Sequence, residues 1–307
     1  MAWIPLNPPA PDTFARRISW EAPTALQFWH LASLDAPTVA VSWSCGFAWV
    51  AHVRLPLWDI ALLAMLVWVI YVADRLLDAR AGMDWPPSHS LQHRHSFHWR
   101  HRRVLLALAG LATLAAAWIV LSRLPAAALG RDSIVGAATL AYFSGIHSRR
   151  RPAHQLFRTL ARLVSREFLV GTLFSAGCLL PVLPLAAPSE PGAVYRLLAL
   201  PALLFAALAW LNVRAIGCWE APPASLRGSA VCRLALMLAA ACLLSAMLVA
   251  GGEPRSAALL VAAALSALLL AVLDLRRQRM QPITLRASAD LVLLTPLLLL
   301  PIAMLAK

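Results

Sequence analysis

The chain has 307 residues, of which 61% are hydrophobic, and its formal net charge is +13. Soluble domains are roughly 45–50% apolar, so this composition, with a mean hydropathy of +0.71, excludes an ordinary soluble domain and predicts a polytopic membrane protein. Of the 27 basic residues 26 are arginine, and their placement along the chain argues against nucleic-acid binding.

The chain begins with a segment that lacks a long apolar stretch. Residues 1–30 hold several prolines and charged residues, so we expect a cytoplasmic N-terminal segment and no cleaved signal peptide. Nine apolar segments follow and predict a single all-α transmembrane domain over residues 1–307, because a helix of about 20 residues crosses a bilayer. Their approximate bounds are 34–53, 57–77, 104–124, 128–147, 163–184, 194–217, 231–250, 256–274 and 287–305.

Turn residues mark three short reversals between these segments. Residues 54–57 include a proline, Pro125 separates the third segment from the fourth, and residues 251–254 read Gly-Gly-Glu-Pro. The segment at 34–53 is the least apolar, because it carries Asp35 and several other polar residues.

Basic residues are distributed unevenly between the two predicted sides of the membrane. The N-terminal segment, every second connection after it and the segment ends that flank those connections hold 21 of the 27, and the other side holds 6. Because cytoplasmic loops are rich in Lys and Arg, this predicts a cytoplasmic N-terminus and an outside C-terminus in the cytoplasmic (inner) membrane. Membrane topology and attraction to anionic lipids then explain the net charge, and we expect no nucleic-acid partner.

A pair of carboxylates ends the second apolar segment, in the stretch 71–80. Asp74 and Asp78 are four residues apart, so they lie on one helix face about one turn apart. Two like charges repel unless a cation lies between them, and Mg²⁺ is commonly held by one or two carboxylates with phosphate oxygens. The alternative is that both residues only mark the end of a span.

A second polar pair ends the sixth segment. Asn212 and Glu220 are eight residues apart, a little over two helical turns, so both can face one cavity. Amide and carboxylate oxygens are hard ligands suited to Mg²⁺. A structural asparagine and an interfacial glutamate explain the pair equally well.

The connection at 79–103 is rich in histidine and arginine and holds five of the nine histidines. His95, His98 and Arg100 suit an anion-binding loop, because guanidinium groups pair with phosphate oxygens and histidines add donors. Two alternatives remain open: a solvated basic loop, or a transition-metal site for Zn²⁺ or Ni²⁺ that includes His93 and His95.

Further polar and small residues lie near the predicted cytoplasmic face. Tyr142 and Arg149 belong to a second basic stretch after the fourth segment, and Gly171 and Gly177 are small enough to let two helices approach closely. Seven acidic residues near cytoplasmic span ends predict a polar cavity open to the cytoplasm. They are Asp35, Asp74, Asp78, Glu167, Glu220, Asp274 and Asp290. Asp274 has a simpler explanation, which is pairing with the arginines beside it.

Acidic pairs that hold Mg²⁺ and basic loops that hold phosphate, in a lipid-embedded cavity, indicate a diphosphate substrate with an apolar tail. The stretch 71–78 resembles the first aspartate-rich motif (Asn-x-x-x-Asp-x-x-x-Asp) of the UbiA superfamily of intramembrane prenyltransferases. The stretch 211–220 stands where the second motif belongs, and 142–151 is similar to the Tyr-and-Lys/Arg stretch after the fourth helix. Ile70 and Ile216 depart from the motifs, which suggests a divergent bacterial branch.

The resemblance covers nearly the whole chain and implies a nine-helix bundle around a cytoplasm-facing cavity. It implies an enzyme that transfers a prenyl group from a polyprenyl diphosphate to an aromatic or lipophilic acceptor. The catalytic and Mg²⁺-binding residues it implies are Asp74, Asp78, Asn212 and Glu220. The substrate-binding residues are Arg75, Tyr142, Arg149, His95, His98 and Arg100. Because of Ile70 and Ile216, the alternative is a non-catalytic protein of this fold that binds an isoprenoid, a quinone or a lipid.

Overall fold

The computed structural model describes residues 23–83, 93–147, 165–185, 191–220 and 228–299, and the regular structure within these ranges is entirely helical. The all-α prediction is therefore confirmed for this part of the chain. The helices are α1 (Ala25–Leu31), α2 (Asp35–Val50), α3 (Leu57–Met83), α4 (His93–Arg100), α5 (Arg102–Arg123), α6 (Ala126–His147), α7 (Arg166–Leu179), α8 (Pro191–Glu220), α9 (Gly228–Val249), α10 (Pro254–Arg276) and α11 (Pro282–Leu291). Short 3-10 segments follow α10 (Arg277–Arg279) and α11 (Val292–Leu299).

The predicted reversals lie between helices as expected. Pro125 falls between α5 and α6, residues 251–253 lie between α9 and α10, and Pro254 begins α10. Part of the connection at 79–103 is helical, because α3 continues to Met83, α4 covers His93–Arg100 and α5 begins at Arg102.

Six helical segments within the described ranges are long and apolar enough to cross a membrane. They are Leu57–Arg80, Arg102–Arg123, Val194–Glu220, Ala230–Val249, Pro254–Arg279 and Pro282–Leu299. Three of the nine predicted segments do not meet this standard. The 16 residues of α2 and the 14 of α7 are short for a span of about 20 residues, and α6 carries the adjacent charges Arg131 and Asp132.

The outer surface of the helices is strongly apolar. Trp118 of α5 is 73% exposed, and Leu121 of α5 and Leu248 of α9 are more than 80% exposed. Soluble monomers rarely expose contiguous apolar surface of this kind. The surface therefore agrees with the six candidate spans and with a multi-pass membrane protein.

The helix α2 forms the centre of the bundle. Twelve of its 16 residues are buried, and it contacts α3, α7, α8, α10, α11 and the C-terminal 3-10 segment. The Trp43 ring stacks on Phe205 of α8 with centroids 4.0 Å apart, and its Nε1 donates to the carbonyl oxygen of Leu293 at 2.9 Å. The least apolar predicted segment is thus enclosed by protein, where polar side chains find partners within the chain.

The helices α7 and α8 approach each other closely at Gly171. A Cβ atom at this position would lie 2.6 Å from the backbone nitrogen of Trp210, closer than real Cβ contacts allow. The expected role of Gly171 in close helix packing is confirmed. The same expectation for Gly177 is wrong for the described part of the chain, because a Cβ there would meet none of its heavy atoms within 4 Å.

Candidate functional site

A group of charged and amide side chains lies inside the bundle where α1, α2, α3, α8 and α11 meet. We call this group the buried polar cluster, and it consists of His30, Asp35, Arg75, Asn212 and Asp290. Asp290 is 20% exposed, and the other four side chains are no more than 8% exposed. Because burying charges without partners is costly, each of these groups needs a partner within the cluster.

The turn between α1 and α2 brings the first two members together. Thr24 caps α1 in a reciprocal capping box with Gln27, which fixes where the helix begins. His30 lies in the last turn of α1, and Asp35 begins α2. Between them Ser33 has a φ of 59°, a left-handed conformation that is uncommon for residues other than glycine. This sharp turn places the two side chains side by side.

Asp35 is the acceptor at the centre of the cluster. Its Oδ2 atom lies 2.5 Å from Nδ1 of His30 and accepts a hydrogen bond from Nη2 of Arg75 at 2.8 Å. Arg75 also donates from Nη1 to Oγ of Ser33 at 3.1 Å and to the carbonyl oxygen of His30. The guanidinium group that the sequence assigns to substrate binding is therefore engaged by α1, α2 and the turn between them.

The cluster is completed by Asp290 and Asn212, which come from the C-terminal third of the sequence. Asp290 Oδ2 lies 3.7 Å from Nδ1 of His30, and its Oδ1 accepts a hydrogen bond from Nδ2 of Asn212 at 3.0 Å. Asn212 Oδ1 is buried and has no hydrogen-bond partner among the residues that the structure describes. Tyr71, which begins the predicted first motif, is close enough to Asp35 and Asp290 to interact with both electrostatically.

One end of the histidine-rich connection packs onto the cluster. His98 of α4 is fully buried, and its Nε2 lies 3.1 Å from Oγ of Ser33. Arg100 ends the same helix and is exposed. His95 also lies in α4, but its side chain is outside the described part of the structure, as is the whole of Arg149.

A second polar group surrounds the carboxylates of α3. Asp74 and Asp78 are both half-buried, and the guanidinium of Arg166 interacts electrostatically with both. Arg166 also donates from Nε to the hydroxyl oxygen of Tyr142 at 3.4 Å. We call Asp74, Asp78, Tyr142 and Arg166 the carboxylate pair group. The structure thus brings three predicted site residues together with an arginine that was not predicted.

The end of α8 is held by ion pairs within the chain. Glu220 is paired with Arg286 of α11. Nearby, Asp274 Oδ1 accepts hydrogen bonds from Nε1 of Trp219 and from Nη1 of Arg277, both at 2.8 Å. The expected pairing of Asp274 with a neighbouring arginine is confirmed. Glu220 and Asn212 both lie on α8, but Glu220 pairs with Arg286 whereas Asn212 bonds Asp290.

Two sets of side chains among the residues that the structure describes could hold a metal ion. Asp74 and Asp78 offer carboxylate oxygens beside a guanidinium, which suits a hard cation with an anionic ligand. His30, Asp35 and Asp290 each offer one ligand atom, and these three atoms lie within 4.8 Å of one another.

Sequence reasoning singled out Asp35 and Asp290 only as acidic residues near span ends, and it missed His30 and Ser33. Nothing in the local sequence around His30 distinguishes it from a solvated histidine. Comparison with protein-family models, with curated proteins and with solved structures finds no significant match to the chain.

Proposed function

We propose that the chain is a UbiA-like intramembrane prenyltransferase, which transfers a prenyl group from a polyprenyl diphosphate to an aromatic or lipophilic acceptor. The main support for the proposal is that the helices that hold the two motif-like stretches, α3 and α8, meet at the buried polar cluster. Asn212 of α8 bonds Asp290, and His30 and Asp35 link Asp290 to Arg75 of α3. Convergence of two distant polar stretches inside a membrane protein is typical of a functional site.

The proposal includes nine transmembrane helices around a cytoplasm-facing cavity. The three added to the six candidate spans are α2, α6 and α7, and the enclosure of α2 by its neighbours supports its inclusion. The N-terminus is cytoplasmic in the inner membrane and the C-terminus is outside. Reporter fusions at each terminus test this, because a cytoplasm-only reporter should be active at the N-terminus alone.

In this proposal Asp74 and Asp78 hold Mg²⁺, which when bound would neutralise the diphosphate. The other two residues of the set that the resemblance implies, Asn212 and Glu220, contact Asp290 and Arg286 instead. The half-buried carboxylates of Asp74 and Asp78 fit this role. Arg166 interacts electrostatically with both carboxylates, and its guanidinium offers donors to a diphosphate.

Tyr142 accepts a hydrogen bond from Arg166, so it orients that guanidinium. His95, His98, Arg100 and Arg149 extend the anion-binding surface. Arg75 is a positioning residue, since its donors already hold α3 against α1 and α2.

The test is Mg²⁺-dependent binding of labelled prenyl diphosphates of several lengths to the purified chain. Wild type should bind at least one length with Mg²⁺ and lose binding with a chelator, and Asp78→Asn should lose it in both conditions. Asp132→Asn is the matched control, because Asp132 is also a half-buried aspartate beside an arginine, Arg131. Folded wild-type protein that binds no length of prenyl diphosphate would refute the proposal.

A second candidate is a non-catalytic protein that binds an isoprenoid, a quinone or a lipid. The engagement of Glu220 by Arg286 favours it, because that carboxylate has a partner within the chain. Ile70 and Ile216 favour it too, since neither can bind a metal. Mass spectrometry of lipids that co-purify with the chain tests this candidate, which predicts the same bound lipid with and without a chelator.

A further inference from the structure

We infer that His30, Asp35, Asp290 and Asn212 form a binding site for one divalent first-row transition-metal ion, separate from the carboxylate pair group. The inference does not rest on the proposed prenyl transfer. It assigns Asn212 Oδ1 to this ion instead of to Mg²⁺.

The donor atoms are spaced for a single ion. One atom from each of His30, Asp35 and Asp290 lies within 4.8 Å of the other two. Ligand bonds of about 2.0–2.2 Å put neighbouring ligand atoms about 3–3.5 Å apart around an ion. The 3.7 Å between Nδ1 of His30 and Oδ2 of Asp290 is close to this spacing. The 2.5 Å between Nδ1 of His30 and Oδ2 of Asp35 would have to open by less than about 1 Å.

The charges of the buried polar cluster balance only if a proton or another cation binds there. Asp35 and Asp290 are both acidic, and Arg75 supplies one positive charge. With a neutral imidazole at His30 the cluster therefore carries a net negative charge inside the bundle. Such a buried charge is costly unless it is compensated. A metal ion bound by the neutral imidazole compensates it, and a proton on His30 or on Asp290 is the competing explanation.

The side chain of Asn212 gives a second, independent reason to expect a bound ion. Its side chain is 4% exposed, and Nδ2 is fixed by the hydrogen bond to Asp290. The other atom of the same amide, Oδ1, is buried without a hydrogen-bond partner among the described residues. An unsatisfied buried amide oxygen is destabilising. Because the amide is anchored to a cluster ligand, we assign this oxygen to the same ion as a further ligand, which would satisfy it.

The donor set indicates the class of metal. One imidazole nitrogen with carboxylate and amide oxygens suits Zn²⁺, Fe²⁺ or Mn²⁺, whereas an oxygen-only set suits Mg²⁺. Arg75 fits this arrangement because it holds the ligand Asp35 through a hydrogen bond, and partners of this kind orient metal ligands in proteins.

The experiment measures metal bound to the full chain purified in detergent. The protein is stripped with a chelator, incubated separately with Zn²⁺, Mn²⁺ and Co²⁺, desalted and analysed by mass spectrometry of the metal. We expect about one ion per chain and a raised melting temperature, because an ion that binds only the folded state stabilises it. His30→Gln and Asp290→Asn should each weaken metal affinity about tenfold or more.

The histidine-rich connection is the alternative source of metal binding, so it provides the controls. The His93→Ala/His95→Ala double variant and His101→Gln should keep the bound ion. Loss of the ion in the double variant together with its retention in His30→Gln would overturn the inference. Wild type that gains neither metal nor stability from any of the three ions would overturn it as well, and would favour a proton on His30 or on Asp290.

Two further measurements keep the result decisive. If His30→Gln does not fold, pulsed electron paramagnetic resonance of Mn²⁺ bound to wild type should still detect coupling to imidazole nitrogen. Absence of that coupling would overturn the assignment of His30. Asp78→Asn should retain the transition metal, so the failure of prenyl diphosphate binding and the failure of this metal site are distinguishable.

Discussion

Arg75 on α3 donates from Nη2 to Oδ2 of Asp35 on α2 at 2.8 Å, with the two side chains 8% and 1% exposed. Removing one partner of a buried ion pair leaves an uncompensated charge. We therefore expect Arg75→Met to lower the free energy of unfolding by about 3–5 kcal/mol. Thermal unfolding in detergent, followed by loss of the monodisperse elution peak, measures the change.

The control for the Arg75 variant separates charge from packing. Arg75→Met combined with Asp35→Asn should be less destabilised than the sum of the two single variants, because the unpaired charge is gone. Arg103 is exposed on α5, so Arg103→Met should change stability by no more than about 0.5 kcal/mol. Equal melting temperatures for Arg75→Met and Arg103→Met would contradict the buried pair.

Gly171→Ala should destabilise the protein because the added methyl group meets the backbone of Trp210. Overpacking of this kind costs about 1–3 kcal/mol. Gly177 lies on the same helix in open space, so Gly177→Ala should be neutral or slightly stabilising, since alanine favours a helix over glycine by about 0.5–1 kcal/mol. Melting temperatures of the two variants in the same detergent give the comparison, and identical values would refute the close approach of α7 and α8.

Phe205→Ala should be among the most damaging apolar substitutions. The Phe205 ring stacks on Trp43 and meets Phe47 edge-on in the centre of the bundle. Truncating a buried phenylalanine to alanine costs about 3–5 kcal/mol. Trp118→Ala removes a larger side chain that is 73% exposed, so it should cost much less. Unfolding in a graded series of denaturing detergent measures both, and a larger effect at Trp118 would contradict the described core.

Asp274→Asn should weaken the junction of α8, α9 and α10. Asp274 Oδ2 accepts the backbone N–H of Cys232 at 3.1 Å, while Oδ1 accepts from Trp219 and Arg277. An amide has only one acceptor oxygen, so at least one buried donor loses its partner, at about 1–3 kcal/mol. The melting temperatures of Asp274→Asn and of the control Asp132→Asn are compared, and we expect the Asp274 variant to melt at the lower temperature.

Much of the fold is predictable because hydropathy reports burial and lipid contact directly. The apolar segments at 57–77 and 104–124 correspond to α3 and α5, and the turn residues at 251–254 separate α9 from α10. The helices α1 and α4 were not predicted. The first is only seven residues long and the second is polar, so neither has an apolar run to indicate it.

The buried polar cluster could be predicted only in part. Asp35 and Asp290 are conspicuous acids in apolar segments, but their proximity depends on packing between opposite ends of the chain. His30 gives no local signal, because its burial follows from the turn at Ser33. Asn212 was recognised as a polar residue near a span end, whereas its partner on α11 could not be inferred from spacing along α8.

The enclosure of α2 has a consequence for how the protein is made. The Trp43 donor finds its acceptor at Leu293, 250 residues further along the chain, so the ribosome must synthesise all of these residues before this bond can form. Until then an early helix that carries Asp35 lacks its final neighbours, and contacts between such distant residues form slowly. The helix α2 is therefore synthesised early but is among the last to be surrounded by its neighbours. Its protection from quality-control proteases begins only when α10, α11 and the 3-10 segment that follows α11 have been synthesised.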